Sequence, residues 1–170
     1  MKVVFLGVGT NLGDREKNLK EALAGIGKYI GRIICSSSVY ETEPWGFHAE
    51  QQFLNIAAKV ETELIPSEVL KAILTLETRL GRVRSENQYS SRVIDIDILF
   101  YGDEIINSKE LEIPHPLLDK RKFVLVPLCE IEPELVHPGL KTSVKSLLEQ
   151  CEDKSKVYPP TPPKGGLKPS

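Results

Sequence analysis

The sequence has few features typical of a membrane protein, a disulfide-stabilised protein or a protein that binds polyanions through its overall charge. Its three cysteines are far apart and form no CxxC pair, which favours reduced thiols. No apolar run approaches bilayer length, and no cleavage site follows the short apolar start MKVVFLGV. A formal net charge of −2 gives no general attraction to nucleic acid or anionic lipid. We therefore expect a cytoplasmic protein without nucleic-acid or membrane partners, in which any anion site depends on local arginine clusters.

What is present predicts one compact domain. A chain of 170 residues that is 41% hydrophobic and 27% charged can build a single core. We place this domain at residues 1–157. The proline-rich segment 158–170, which begins YPPTPPKGG, is not expected to pack and is interpreted as a flexible tail.

Strand and helix periodicities alternate along the domain. KVVFLGV predicts a first strand, residues 14–30 a helix, and RIICSSSVY at 32–40 a second strand. The segment GVGTNLGD lacks the lysine of a P-loop, so we interpret it as the turn from the first strand into the first helix. In FLNIAAKVET, alternation directs Leu54 and Ile56 to one face and leaves Phe53 and Asn55 on the other, free for a ligand.

A second helix is predicted from Pro66 to Gly81, with proline at its start and glycine at its end. Glu77 lies on its apolar side, four residues after Ile73 and three before Leu80. It is either an exposed residue at the margin of the stripe or an acid with a role near the site. SVKSLLEQC predicts a short last helix.

The stretch SRVIDIDILFYG places two aspartates one residue apart in an apolar strand. Alternation puts Ile94, Ile96, Ile98 and Phe100 on one face, and Asp95 and Asp97 on the other, roughly 6 to 7 Å apart. Such a pair is relieved of repulsion by a hard cation such as Mg²⁺, which accepts carboxylate and phosphate oxygens together. The alternative is that the aspartates are surface residues of an edge strand that discourage aggregation.

Basic residues cluster around this strand. Arg82, Arg84 and Arg92 precede it, and Arg121 follows in DKRKF. Guanidinium groups bind phosphate oxygens bidentately, so the cluster together with the aspartates favours a metal-bound polyphosphate over a solvated charged loop. His115, in IPHPL, could contact a phosphate or a base, but taken alone it is more typical of a turn residue.

These motifs together resemble the 6-hydroxymethyl-7,8-dihydropterin pyrophosphokinase family. SRVIDIDILFYG, with GRVR before it and IPHP after it, resembles the family signature. GTNLG, YETEPWG, FLNIA, LETRLGRVR and KRKFVLVPLCEIEPEL are further matches in the same order, over about residues 3 to 150. The resemblance implies an enzyme of folate biosynthesis that transfers pyrophosphate from ATP to the pterin hydroxymethyl group and releases AMP.

The resemblance also implies roles for individual residues. Asp95 and Asp97 would hold two Mg²⁺ ions, and Arg82 and Arg92 would act on the transferred group. The expected ATP contacts are Glu77, Arg84, Arg92, Ile98, His115 and Arg121. The expected pterin contacts are Thr42, Glu43, Trp45, Phe53, Asn55 and Phe123, with the two phenylalanines on opposite faces of the ring. Each phenylalanine, taken alone, could equally be a core residue. Tyr89, Trp45, Glu43 and Pro116 depart from residues common in the family, which affects loop closure and ring contacts.

The expected fold is α+β: a ferredoxin-like antiparallel sheet with helices on one face and the site on the other, followed by a C-terminal hairpin and helices. Two alternatives remain. One is a ferredoxin-like regulatory module that binds a small ligand, and the other is a metal-dependent nucleotidyltransferase. We expect a monomer or a weak homodimer.

Overall fold

The computed structural model describes residues 1–43, 51–81 and 93–159. The longer strands are β1 (Lys2–Thr10), β2 (Arg32–Ser36), β3 (Tyr40–Thr42), β4 (Phe53–Thr62) and β5 (Asp95–Tyr101). Two-residue strands follow: β6 (Ile106–Asn107), β7 (Glu112–Ile113), β8 (Val136–His137), β9 (Thr142–Ser143) and β10 (Val157–Tyr158). The helices are α1 (Arg15–Tyr29), α2 (Pro66–Arg79), α3 (Lys122–Ile131) and α4 (Val144–Gln150). Among these residues, no helix is both long and apolar enough to cross a membrane.

One antiparallel sheet organises the molecule. Its strands lie in the order β10-β3-β4-β1-β5. Strand β2 pairs with the edge of β4 that also pairs with β3, but at the other end of β4. With β1, β2, β4 and β5 as its four strands and α1 and α2 as its helices, this is the ferredoxin-like arrangement, which confirms the predicted fold class. Strands β6 and β7, and strands β8 and β9, form two small separate hairpins.

The sheet is covered on both faces, but by different helices. A large apolar cluster joins α1 and α2 to side chains such as Val4, Leu6 and Ile56. The opposite face carries a second cluster, in which Phe5 and Leu99 pack with Leu125 and Leu128 of α3. The helices predicted in the C-terminal part therefore share the face on which we expected the site.

The helix boundaries follow from local capping. Asp14 accepts a hydrogen bond from the Lys17 N–H at 3.2 Å and caps α1. Pro66 occupies the first position of α2, and the chain leaves this helix through Gly81, whose φ of 94° favours glycine. The proline and glycine punctuation of the sequence is confirmed, although the helix ends at Arg79.

Two details of the strands differ from the prediction. The segment 32–40 forms two strands, because the regular ladder with β4 is interrupted after Ser36. Glu130 of α3 accepts hydrogen bonds there from the Ser38 N–H at 2.8 Å and the Tyr40 hydroxyl at 2.6 Å. In β5 the register with β1 shifts, since Leu6 opposes Ile98 while Phe5 opposes Phe100. This bulge turns Phe100 away from the face of Ile98 and against Phe5, so the predicted orientation of Phe100 is wrong.

Candidate active site

Asp95 and Asp97 line one pocket on the face of the sheet that also carries α3. The pocket is small and opens to solvent, and both aspartates are partly exposed in it. Asn55 and Phe123 line the same pocket. The prediction that both aspartates emerge on one face, opposite the apolar Ile96 and its neighbours, is confirmed.

Two glycines leave room for this pocket. Gly9 lies opposite Asp95 in the ladder between β1 and β5, and Gly7 lies opposite Asp97. A Cβ atom on Gly9 would stand 2.5 Å from Oδ1 of Asn55, closer than atoms can approach. The interpretation of GVGTNLGD as a turn is therefore wrong for its first residues, which continue β1 to Thr10. In the sequence, the two-residue spacing between Gly7 and Gly9 indicates that both glycines lie on one face of a strand.

Thr42 and Asn55 meet on the neighbouring strands. Thr42, on β3, is 1% exposed, and Asn55, on β4, is 7% exposed. The amide Nδ2 of Asn55 donates a hydrogen bond to the Thr42 hydroxyl. Phe53 is two residues before Asn55 on the same face, and its ring lies beside Gly9. The predicted free face of β4 therefore carries a polar pair and an aromatic ring next to the aspartates.

The first turn of α3 brings Phe123 to the pocket, and Arg121 contacts the ring of Phe123. Phe123 is half-buried and lines the pocket on the side of α3, while Arg121 immediately precedes the helix. The guanidinium carbon of Arg121 lies 5.6 Å from the centre of the Phe123 ring. A cation stacked against the outer part of an aromatic ring helps to fix its plane.

A second pocket begins where the first one ends. It is larger and more open to solvent, with a volume of about 260 Å³, and is lined by Leu70 and Ile73 of α2, Ile98 of β5, and residues 108–112 around β7. Asp97 borders both pockets, and His115 lines the second. Asp97 therefore lies between a small pocket, which it shares with Asp95, and a larger one.

His115 is held in the neutral state. The backbone N–H of His115 donates to the Leu99 carbonyl at 3.1 Å, and its ring Nδ1 accepts from the Leu117 N–H at 3.2 Å. Burial, with a contribution from Arg121 that outweighs the opposing one of Asp95, lowers the pKa of His115 to about 4. The histidine is thus both a turn residue and part of the pocket lining, and near neutral pH its Nε2 carries the proton.

Glu77 is buried and is not a marginal surface residue. It is 1% exposed, and its Oε2 accepts a hydrogen bond from the Ile96 N–H at 2.8 Å. Ile96 lies between the two aspartates on β5, at the edge of the sheet, where an amide N–H pointing away from β1 needs a partner. Glu77 supplies that partner and fixes the strand that carries the acid pair.

One predicted pterin contact, Glu43, binds another part of the chain. Glu43 turns its carboxylate to the C-terminal segment, where its Oε1 accepts from the Lys156 N–H at 3.2 Å. Arg82, Arg84, Arg92 and Trp45 lie outside the described residues. Within residues 1–43, 51–81 and 93–159, no three His, Cys, Asp or Glu side chains converge in a metal-binding group. The three cysteines form no disulfide.

Relatives of known sequence support the resemblance. The family model for 7,8-dihydro-6-hydroxymethylpterin-pyrophosphokinase (HPPK) matches residues 5–133. The 2-amino-4-hydroxy-6-hydroxymethyldihydropteridine pyrophosphokinase of Aquifex aeolicus is 41% identical over 145 residues, covering 85% of this chain and 89% of that protein. The protein of the same name from Porphyromonas gingivalis is also 41% identical, covering 84% of this chain and 98% of that protein.

Solved structures agree on the fold. The wild-type HPPK-DHPS of Plasmodium falciparum, crystallised with SDX-DHP, superposes with a TM-score of 0.70 at 21% identity, covering 88% of this chain and 43% of that chain. At that identity the likeness supports the fold alone. The match of the family model and the identity to full-length relatives go further, and they show that this chain belongs to the 7,8-dihydro-6-hydroxymethylpterin-pyrophosphokinase family.

Proposed function

We propose that this chain transfers the pyrophosphoryl group of ATP to the hydroxymethyl oxygen of 6-hydroxymethyl-7,8-dihydropterin in folate biosynthesis, using magnesium held by Asp95 and Asp97. One observation carries the proposal. Asp97 lies at the junction of two pockets, one bordered by Asp95, Asn55 and Phe123 and the other by Ile98 and His115. A metal-bound polyphosphate placed at this junction would have the acceptor on one side and the nucleoside on the other.

The smaller pocket suits the pterin. A flat heterocycle with a polar edge needs an aromatic face and hydrogen-bonding groups in its plane. Phe123 supplies a face, Phe53 lies beside the pocket, and Asn55 with Thr42 supplies the amide and hydroxyl. Thr42 and Asn55 are nearly excluded from water, so a ligand that matches the donors and acceptors left open by their mutual hydrogen bond is favoured over one that does not.

The two aspartates fit a magnesium site. They are carboxylates on one strand face, both partly exposed to one pocket, and hard cations prefer oxygen ligands. Magnesium usually takes only one or two protein carboxylates and completes its shell with phosphate oxygens and water, so two acids are sufficient. When bound, the ions would neutralise charge on the polyphosphate and hold the transferred group in line.

The larger pocket suits ATP. Leu70, Ile73 and Ile98 offer an apolar surface to a base, and His115 lies between this surface and the acid pair. Since the pKa of His115 is near 4, the residue would contribute a hydrogen bond from Nε2 and not a positive charge. The positive charge would come from arginines: Arg82 and Arg92 on the transferred group, with Arg84 and Arg121 closing over the nucleotide.

The reaction is an in-line displacement. The pterin hydroxymethyl oxygen attacks the β-phosphorus of ATP, the bond from this phosphorus to the α-phosphate oxygen breaks, AMP leaves, and the hydroxyl proton is released. The work of this chain is positioning and charge stabilisation. Residues of the pterin pocket would orient the acceptor, and the arginines would shield the polyphosphate from water, which would otherwise hydrolyse ATP.

The test is incubation of the protein with Mg-ATP and 6-hydroxymethyl-7,8-dihydropterin, with products separated by ion-exchange chromatography. We expect AMP and a diphosphorylated pterin in equal amounts, and no turnover when EDTA replaces magnesium. Free pyrophosphate with a nucleotidylated pterin would instead indicate a nucleotidyltransferase. Binding of pterin without any ATP consumption, and without thermal stabilisation by Mg-ATP, would indicate a regulatory module. Size-exclusion chromatography at several concentrations tests the expected monomer or weak homodimer.

A further inference from the structure

The segment that follows α4 crosses from one substrate-binding element to another. We call residues 152–158 the C-terminal strap. Its first part meets the start of α3, where Asp153 Oδ2 accepts a hydrogen bond from the Lys122 N–H at 3.0 Å. Its last part is β10, which pairs with β3 so that Val157 lies opposite Thr42. The strap thus contacts both the helix that carries Phe123 and the strand that carries Thr42.

Asp153 acts as the missing cap of α3. The residue before this helix, Arg121, makes no capping hydrogen bond with its own side chain, so the first N–H groups of α3 need another acceptor. Asp153 supplies one from 31 residues along the chain, and its Oδ1 also accepts from the Ser155 N–H at 2.9 Å. Burial alone would raise the pKa of Asp153, but the hydrogen bonds from Ser155 and Lys122 outweigh it and lower the pKa, so the acceptor stays ionised.

The cap acts on the part of α3 that belongs to the site. Further along the helix, Val124, Leu125 and Leu128 are buried in the second apolar cluster, which fixes the body of the helix. The first two residues of the helix, Lys122 and Phe123, are only partly buried, so they have less packing to hold them than the residues that follow. A carboxylate at the helix N-terminus also interacts favourably with the helix dipole. Asp153 therefore affects the position of the Phe123 ring more than it affects the stability of the helix.

The other end of the strap holds the opposite side of the pocket. The Glu43 N–H donates to the Lys156 carbonyl at 3.3 Å, and the Lys156 N–H donates back to the Glu43 carboxylate. These bonds extend the pairing of β10 with β3 just beyond Thr42. Thus one short segment fixes the distance between the aromatic side and the polar side of the small pocket.

We propose that Asp153 is a positioning residue for pterin binding, which holds the first turn of α3 so that Phe123 faces the ring bound beside Asn55 and Thr42. This inference rests on the proposed function, because it takes the small pocket to be the pterin site. Asp153 lines neither pocket described above, so its effect is exerted through the Lys122 N–H and the strap.

The experiment compares Asp153→Ala with two control variants in the full chain. Glu152→Ala removes the same charge from the neighbouring, exposed position. Ser143→Ala removes a cap of the same kind from α4, where the Ser143 hydroxyl accepts from the Ser146 N–H at 3.2 Å. The dissociation constant for 6-hydroxymethyl-7,8-dihydropterin is measured from pterin fluorescence, thermal unfolding is recorded in parallel, and KM and kcat are determined for the variants.

For Asp153→Ala we expect the pterin dissociation constant and KM to rise about tenfold, the effect of losing roughly one charge-assisted hydrogen bond, with a smaller change in kcat. Glu152→Ala should match the wild type. Ser143→Ala should lower the melting temperature without weakening pterin binding. Asp153→Asn keeps one oxygen acceptor for the Lys122 N–H and should recover part of the affinity, and it replaces the alanine variant if that does not fold.

Two results would overturn the inference. Either Asp153→Ala and Asp153→Asn bind pterin as tightly as Glu152→Ala, or Ser143→Ala weakens pterin binding to the same extent, which would make the effect one of general destabilisation. Both leave the proposed function intact, because the wild type still forms AMP. If the wild type neither binds the pterin nor forms AMP, the proposed function and this inference fail together.

Discussion

The two faces of the central sheet serve different purposes, although they are formed by the same strands. On the face covered by α1 and α2, β4 presents Leu54, Ile56, Ala58 and Val60, all of which are at most 7% exposed. On the opposite face, the same strand presents Phe53, Asn55 and Ala57, and β1 presents Gly7 and Gly9. One face is closed by hydrocarbon, while the other is covered by α3 and α4 only in part.

The comparison shows where stability and chemistry are separated. Because successive side chains of a strand point to opposite faces, every second residue can pack in a core while the residues between them line a pocket. Substitutions on the closed face should therefore change the free energy of unfolding, and those on the open face should change catalysis or binding. The following predictions, from the largest expected effect to the smallest, test this separation.

Asp97→Ala should abolish nearly all turnover while leaving the fold intact. The loss of one carboxylate ligand removes charge stabilisation of the transferred group, which we expect to lower kcat by about 10³-fold or more. Asp103→Ala, at an exposed turn after the same strand, is the matched control and should retain full activity. The measurement is AMP formation under saturating Mg-ATP and pterin. Activity in Asp97→Ala within tenfold of the control would contradict the assignment of the acid pair.

Ile56→Ala tests the closed face. Ile56 is 2% exposed in the large apolar cluster, so truncation should lower the free energy of unfolding by about 2 to 5 kcal/mol. The fraction that remains folded should bind pterin normally, because Ile56 borders the small pocket but its side chain packs in the apolar cluster of the closed face. Urea unfolding gives the stability, and Ile34→Ala, at a residue 38% exposed, is the control. A loss of pterin affinity without a loss of stability would refute the separation of the two faces.

Regular patterns account for the parts of the fold that could be predicted. The alternation in β4 and β5 located Asn55, Asp95 and Asp97 on one face, and the punctuation of α2 by proline and glycine set its limits. The bulge at Leu99 interrupts such a period, so Phe100 was assigned to the wrong face. No periodicity in the residues alone can anticipate this, because the extra residue is accommodated by pairing with a distant strand.

Elements held by distant contacts could not be predicted. Helix α3 contains Pro127, which removes one intrahelical hydrogen bond and obscures the helical pattern, and its cap comes from Asp153. Strand β10 pairs with residues more than 100 positions away, and it includes Tyr158, which composition alone had assigned to the tail. Glycine is more typical of turns than of strand interiors, so the residues alone predict a turn at Gly7 and Gly9, where β1 in fact continues.

Gly9→Ala sharpens the comparison, because it adds one methyl group to the open face. The new Cβ would lie 2.5 Å from Asn55 Oδ1, so the amide must move away from its position beside Thr42. We expect pterin affinity to fall by about tenfold to 100-fold, the equivalent of roughly 1.4 to 2.8 kcal/mol. Gly27→Ala, on α1 with no atom near its added Cβ, is the control. Unchanged affinity in Gly9→Ala, measured by fluorescence titration, would exclude Asn55 from the pterin site.

The smallest effect should come from His115, whose titration makes the stability of the protein depend on pH. Because its pKa is lowered to about 4 in the folded chain, the unfolded chain binds a proton first as the pH falls from about 6.5. The contribution of His115 to the free energy of unfolding should therefore be constant above pH 6.5. It should decrease toward pH 4 by about 1 to 2 kcal/mol, once the partial exposure of the side chain is allowed for. In His115→Asn, whose side-chain oxygen can replace Nδ1 as acceptor for the Leu117 N–H, this part of the decrease should disappear. Urea unfolding of both proteins in EDTA, at intervals from pH 7.5 to 4, isolates the histidine from the carboxylates that titrate in each. Parallel stability curves for the two proteins would show that His115 is already accessible to protons in the folded state, and its proposed neutral hydrogen bond to ATP would then have to be abandoned.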